Sequence, residues 1–380
     1  MGRWIAVLVL VLAACGGSAG QSLGETQAAL QGLPAQGESG VTVMTRNIYL
    51  GTDLAPLLQA SSPAELPALV GAALANVQRT NFPLRAVALA DEIEATQPHL
   101  IGLQEAALVE ASVNGVPVMR LDYLQILQAQ LLERGLSYAA VVSPQTDLTV
   151  PGPEGLVVHV VDRDVILARA DVGIANPEVH NYLARLTIPV GGAGGPVVTI
   201  LRGWAAVDAT VGPRTFRFAA THLETTDLPV FAQVQVAQGA ELAAALARSR
   251  LPLVLVGDFN SAADGTLTPT YGNLVAAGFV DAWDQPRPRG VGFTCCQLPT
   301  LDNPVSLLDQ RIDIIFLRQG PPAAAGYPRI VGGVQALEVG NLPSDRIDGQ
   351  WPSDHAGVVS TLRLPRAVGL VREDDPLSAR

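Results

Sequence analysis

The sequence predicts an α/β protein in which two packed sheets carry helices on their outer faces, and three observations lead there. Short apolar runs recur along the chain, and the clearest, Leu253–Ser261 (LVLVGDFNS), runs straight into Gly257 before a carboxylate and a carboxamide. Such a run, bounded by a turn signal, is a strand buried on both faces. Segments with helical spacing sit between these runs rather than apart from them, the pattern of layered sheets and helices. No linker, change of composition or internal repeat divides the chain beyond residue 40, so that stretch is read as one domain, and a hydrophobic content of 48% supplies a large core.

Taken in order, Val41–Thr45 (VTVMT) alternates and leads into Arg46 and Asn47, a first strand that ends on an amide. Leu54–Asn81 carries two helical pieces around Pro56, Pro63 and Pro67. Leu84–Thr96 is an amphipathic helix with Leu84, Val87, Ala88 and Ile93 at helical spacing, and Pro98 stops it. Leu100–Ala106 (LIGLQEA) is a second buried strand, ending at Glu105, and Leu121–Arg134 is a helix closed by Gly135. From Asp164 strands dominate: Val165–Ala170, Leu183–Val190, Val197–Val211 and Thr215–Glu224, with Gly191–Gly195 as a turn between antiparallel neighbours. Val230–Ala247 is helical. In the strand that follows, alternation points Asp258 and Asn260 one way and Phe259 back into the packing. Phe293–Asp309 is a long loop, Arg311–Arg318 (RIDIIFLR) and Val358–Leu364 (VVSTLRL) are the last strands, and the polar tail 365–380 is expected to be disordered.

The amino terminus predicts export. Residues 1–15 (MGRWIAVLVLVLAAC) hold one Arg, an apolar run too short for a permanent membrane span, and small residues before Cys15. Leu12-Ala13-Ala14-Cys15 resembles a bacterial lipoprotein signal, which implies lipidation of Cys15 and a membrane anchor. The alternative is an ordinary secretory signal. Residues 16–40, rich in Gly, Gln, Ser and Ala, read as a flexible tether. A formal charge of −11, with every basic residue an Arg, argues against a broad basic surface for wrapping nucleic acid, although it allows a local positive groove. Three cysteines make no disulfide framework. The adjacent pair Cys295 and Cys296 is open between two free thiols and a vicinal disulfide, and a zinc site lacks a second Cys or His pair at ligand spacing.

Polar groups end five strands: Asn47, Glu105, His222, Asp258 with Asn260, and Asp313. The loop before the last strand adds Ser353-Asp354-His355. In order these read N, QE, TH, GDFN, RID, SDH, and from Val41 to Leu364 the chain resembles the endonuclease/exonuclease/phosphatase superfamily. Each motif alone has a bland reading as an Asx turn, a cap or a solvated carboxylate; six in this order do not.

The resemblance implies a four-layer α/β sandwich of two mainly antiparallel sheets packed face to face, with the site at one edge. It also implies hydrolysis of a phosphoester with a divalent cation, usually magnesium, with manganese or calcium as substitutes. The residue chemistry agrees, since magnesium needs only one or two carboxylates. Glu105 is the direct ligand, with Asn47 close by and Asp354 as a second contact. Asp258 and Asn260 hold the attacking water, His222 and His355 donate to the phosphoryl oxygens, and Asp313 fixes the tautomer of His355. Whether Asp258 or the Asp313–His355 pair takes the water's proton stays open.

Other features lie beyond the motif set. Asp162-Arg163-Asp164 precedes a strand near which relatives touch the phosphate: Arg163 is open between a phosphate contact and a surface ion pair, and one of the aspartates is a candidate to orient His222. Thr294-Cys295-Cys296-Gln297 is a candidate to approach the site, and residues 51–81 are open between shaping access and a passive excursion. The expected function is a monomeric phosphodiesterase acting on nucleic acid or a phospholipid head group, at the cell envelope or secreted. The alternatives are a phosphomonoesterase of the same fold and an inactive surface binding protein.

Overall fold

The computed structural model describes residues 40–192, 194–284, 291–318 and 331–364. The signal at 1–15 with Cys15, nearly all of the tether and the tail at 365–380 lie outside the described residues.

The first sheet contains β1 (Val41–Asn47), β2 (Leu100–Gln104), β3 (Leu108–Val113), β4 (Val116–Asp122), β5 (Tyr138–Pro151) and β6 (Leu156–Arg169). The second contains β7 (Gly173–Asn181), and β8 (Leu186–Pro189) with β9 (Val197–Ile200) forms a separate hairpin. β10 (Gly203–Val211), β11 (Arg214–His222), β12 (Leu253–Asp258), β13 (Val280–Asp281) and β14 (Asp313–Arg318) complete the second sheet, and β15 (Val331–Val339) and β16 (Gly357–Arg363) return to the first. The first sheet runs β15-β16-β1-β2-β6-β3-β4 with β5 paired to β6, the second β13-β14-β12-β11-β10-β7. Most pairs are antiparallel; β1–β2 and β11–β12 are parallel.

Three apolar clusters define the layers. Val41, Val43, Leu100 and Ile166 of the first sheet meet Val207, Phe216, Phe218, Val254 and Ile315 of the second. The outer face of the first sheet (Met44, Ile101, Leu103) packs on α2 (Leu66–Arg79), α3 (Phe82–Thr96) and α4 (Tyr123–Glu133) through Val70, Leu89, Ile93 and Leu127. The outer face of the second (Ala219, Leu255, Ile314) packs on α5 (Pro229–Leu246) and α6 (Thr270–Ala276) through Leu242, Leu246 and Leu274. A short α1 (Ala55–Leu58) precedes α2. Helix, sheet, sheet, helix: this is the four-layer α/β sandwich.

Three expected strands differ: Val165–Ala170 begins earlier, at Leu156, so Asp162–Asp164 lie within β6, and two others are broken or shortened. Val197–Val211 is broken at Leu201 and Arg202, giving β9 to the hairpin and β10 to the second sheet. The backbone of Leu201 leaves the ladder for the hydroxyl of Thr146, to which its N–H donates at 2.8 Å. Gly203 then lies so close to β7 that a Cβ there would sit 2.2 Å from the carbonyl oxygen of His180. Leu183–Val190 is a strand only at Leu186–Pro189.

Two buried arginines tie the loops at the sheet edge to α3. Arg46, 1% exposed, forms a bidentate pair with Glu92 and donates to the carbonyl of His355. Arg85, fully buried, donates to the carbonyls of Thr80 (2.7 Å), Ile48 (2.7 Å), Pro352 (2.9 Å) and Tyr49 (3.0 Å). It holds the chain after β1 against the chain before β16. Replacing it leaves buried carbonyls without donors, so Arg85→Met is expected to cost about 3 kcal/mol or more. Urea unfolding of the native and substituted chains measures this directly; an unchanged midpoint would remove Arg85 from the framework.

Candidate active site

Strand register assembles the site. His222 ends β11 opposite Asp258, which ends β12, and Asp258 lies opposite Asp313, which opens β14. Three neighbouring strands thus place an imidazole and two carboxylates at one edge. In the other sheet Asn47 ends β1 opposite Gln104, so Glu105 follows at the same edge. The Asn47 amide spans the two sheets, its Nδ2 donating to Glu105 Oε1 at 3.0 Å and to Asp258 Oδ2 at 3.2 Å. Tyr49, Glu105 and Asn260 all have left-handed backbone (φ 60°, 59° and 47°), strain of the kind that gathers at functional sites.

Asp258 sits at the centre, 1% exposed. Its Oδ1 accepts the N–H of Asn260 at 2.9 Å. Its Oδ2 faces two imidazoles, 3.6 Å from His222 Nε2 and 3.8 Å from His355 Nε2. Burial and the neighbouring charge of Asp313 push the Asp258 carboxyl up to about 7. His355 Nδ1 lies 2.8 Å from Asp313 Oδ2. Burial pulls this imidazole down, but Asp313, Asp354 and Asp258 outweigh it and hold its pKa well above the usual value.

His222 is set the other way. Arg202 NH1 lies 2.9 Å from its Nδ1. A guanidinium can only donate, so Nδ1 is an acceptor and the ring proton sits on Nε2, the nitrogen turned toward Asp258. Burial, with the charges of Arg202 and His355, holds His222 well below its usual pKa and therefore neutral. Asn260 Nδ2 donates to the carbonyl of Leu223 at 3.0 Å, which pins the turn beside this ring.

The donors around Glu105 suit a hard cation. Glu105 Oε2 accepts the N–H of Leu50 at 2.6 Å. Asp354 is pushed up to about 6 by burial and by the charge of Glu105, although His355 opposes the shift. Asp162 is raised to about 6 by burial and Asp164 well above its usual value, both with Glu105 among the causes. Buried oxygens of Asp162, Asp164, Glu224 and Asp313 have no hydrogen-bond donor. An edge with this surplus of carboxylate and oxygen ligands at Glu105, Asn47 and Asp354 fits a hard divalent cation.

The profile of the Endonuclease/Exonuclease/phosphatase family matches residues 73–355. The chain belongs to that family. Members of the family are typically metal-dependent phosphoester hydrolases. No curated protein matches the chain. Among solved structures, D. rerio TDP2 complexed with single strand DNA product is similar at 16% identity, covering 86% of this chain and 99% of that one with a TM-score of 0.52. A family protein from Bacteroides thetaiotaomicron is similar at 16% identity (86% and 98% covered, TM-score 0.50), and one from Leptotrichia buccalis at 14% (85% and 99%, TM-score 0.50).

Within this family member the structure brings together Asn47, Glu105, His222, Asp258, Asn260, Asp313, Asp354 and His355. Of the two readings of Arg163, the structure shows the ion pair. Its Nε donates to the carbonyl of Ala106 (2.7 Å) and its NH2 to the carbonyl of Ala107 (3.1 Å) and to Asp122 Oδ1 (2.6 Å), so it braces the turn after Glu105. The group on His222 Nδ1 is Arg202; Asp164 stands off at 3.9 Å. Arg202 was hidden inside an apparent strand, and no signal short of the break at Gly203 points to it. Thr294–Gln297 does reach the site: Ala356 N–H donates to Thr294 O and Gln297 N–H to Asp354 O, both at 2.8 Å, and Cys295 and Cys296 are disulfide-bonded. Residues 51–81 also reach the rim, where Asn76 Nδ2 donates to the carbonyls of Gly51 (2.9 Å) and Pro299 (2.8 Å).

The Arg202 contact makes a spectroscopic prediction. Nitrogen–proton correlation NMR of the histidine rings should show His222 as the Nε2–H tautomer, and Arg202→Met should turn it into a mixture. A native ring protonated on Nδ1 would contradict the contact.

Proposed function

We propose that this chain is a magnesium-dependent phosphodiesterase exported to the cell envelope as a lipoprotein. The observation that carries the reading is Oδ2 of Asp258, held between one neutral and one cationic imidazole at the junction of the sheets. Asp258 Oδ2 has the position and raised basicity to hold a water and take its proton, with Asn260 fixing the turn beside it. His222 presents a neutral Nε2–H, and His355, charged and oriented by Asp313, presents a cationic one. Together they would stabilise charge growing on the phosphoryl oxygens. Glu105 and Asp354, with Asn47, would hold the cation, which supplies Lewis acidity and a template when bound.

A diester is favoured over a monoester by the state of the arginines. Among the described residues at this edge, Arg46, Arg85, Arg163 and Arg202 are each engaged with carboxylates, backbone carbonyls or His222, which weighs against their balancing a monoester's second charge. The D. rerio protein was solved with a single strand DNA product, and a short single strand is accordingly the first natural substrate to try, ahead of a phospholipid head group. The net charge of −11 weighs against a long duplex, whose binding depends on neutralising many phosphates.

The test is hydrolysis of an aryl phosphodiester by the chain carrying Cys15→Ser, with magnesium and then with chelator. Turnover should vanish with chelator, and Asp258→Asn should lower it by about 100-fold or more. Near-normal turnover in that variant would sink the role given to Asp258. Glu105→Gln should raise the magnesium needed for half activity, whereas an unchanged requirement would move the ligand elsewhere.

Export has its own experiment. Cys15→Ser should release the chain from the membrane fraction, and a chain that stays bound would contradict lipidation at Cys15.

A further inference from the structure

One cluster at the rim joins a residue of the site, His355, to two cysteines that the proposed phosphoester chemistry does not use. Cys295, Cys296 and His355 each offer a ligand atom, and the three atoms lie within 4.8 Å of one another. Sequence spacing alone lacked a partner for the cysteines; the fold supplies one from sixty residues away. Cys295 is buried and Cys296 exposed, so the cluster faces solvent on one side.

Its parts are held in place independently of the sulfurs. Cys295 N–H donates to Gln310 O at 3.0 Å, and Cys295 O accepts the N–H groups of Asp309 (2.8 Å) and Gln310 (3.1 Å). The contacts of Thr294 and Gln297 with the backbone at Ala356 and Asp354 fix the strip against His355 from the other side. Asp313 occupies His355 Nδ1, so a metal on this ring would bind through Nε2, the nitrogen that also faces Asp258 at 3.8 Å. A carboxylate on the far nitrogen is how metal-ligating histidines are usually oriented.

We propose that, once the disulfide is reduced, Cys295, Cys296 and His355 bind a thiophilic cation of the zinc type, which shuts the active site. The inhibitory part rests on the function proposed above; the binding part does not. Two thiolates and an imidazole form a soft donor set that selects zinc over magnesium, and water completes a tetrahedron. The oxygen donors at Glu105, Asn47 and Asp354 keep the opposite preference. Reduction consumes a dithiol, which gives two electrons and two protons and becomes a disulfide. Zinc then displaces the proton from each thiol and the proton from Nε2. His355 can no longer donate to a phosphoryl oxygen.

The experiment uses the chain carrying Cys15→Ser, so that the pair is its only source of thiols. It is reduced with a phosphine, which takes up water's oxygen and does not compete for metal as a dithiol would. Zinc binding is read by competition with a chromogenic chelator, and cobalt substitution by thiolate-to-metal absorption. The reduced chain should bind one equivalent and the oxidised chain none at this site. Cys296→Ser and His355→Asn should each weaken binding at least ~100-fold, since loss of a ligand outweighs loss of its outer partner. Cys296 is exposed, so that variant is expected to fold, and circular dichroism checks it. No stoichiometric binding by the reduced chain, or binding untouched by His355→Asn, would overturn the three-ligand site. Where the diesterase assay shows turnover, zinc should abolish it in the reduced chain and spare it in Cys296→Ser. Inhibition of both alike would overturn the inhibitory role, whereas zinc binding without any turnover would fault only the proposed function.

Discussion

A carboxylate kept out of water between two imidazoles is the constraint on which the rest of this site depends. Burying a charge costs several kcal/mol unless fixed partners compensate it. At Asp258 those partners come from both sheets: Asn47 from the end of β1 and His355 from the approach to β16 in the first, His222 and Asp313 from β11 and β14 in the second. Each must hold its place to within a few tenths of an ångström, which explains the local backbone. Gly257 lets β12 close on β11 where a Cβ would sit 2.1 Å from Thr221 O. Asn260 turns left-handed directly after, so that its own N–H can reach back to Asp258. Arg46 and Arg85 perform the same service one layer out, fastening the chain around His355 and after Asn47 to α3.

What could be read from the sequence follows from this geometry. His222, Asp258 and Asp313 each stand where an apolar run meets a polar residue, and register then places them side by side. Glu105 and Asn47 obey the same rule in the other sheet. The residues that escaped notice lie where the local pattern is silent. Arg202 sits within a mixed stretch whose break is caused by the approach of β7, a contact made by distant sequence. Arg46 and Arg85 look like surface charge until the loops they bind are folded over them. One strand in each sheet was also obscure. β5 contains Pro144 at a shift of register, and β7 contains Pro177 and is exposed throughout, so neither showed a clean strand signal.

The two histidines show how one edge supports two protonation states. A carboxylate beside a buried imidazole favours the imidazolium, and His355 with Asp313 follows that rule. A guanidinium in the same position forbids it, and His222 with Arg202 stays neutral. The acids that would otherwise charge His222 are turned to another use: Asp162 and Glu224 lie 3.5 and 3.8 Å from Arg202 and anchor it. Titratable groups pushed apart in this way take on different work in one site. In the proposed reaction His355 would contribute charge to the place where phosphoryl oxygens gather, and His222 would contribute a directed N–H without adding charge that competes with a cation at Glu105. The arginine that the sequence concealed is thus what separates the roles of the two histidines that it displayed.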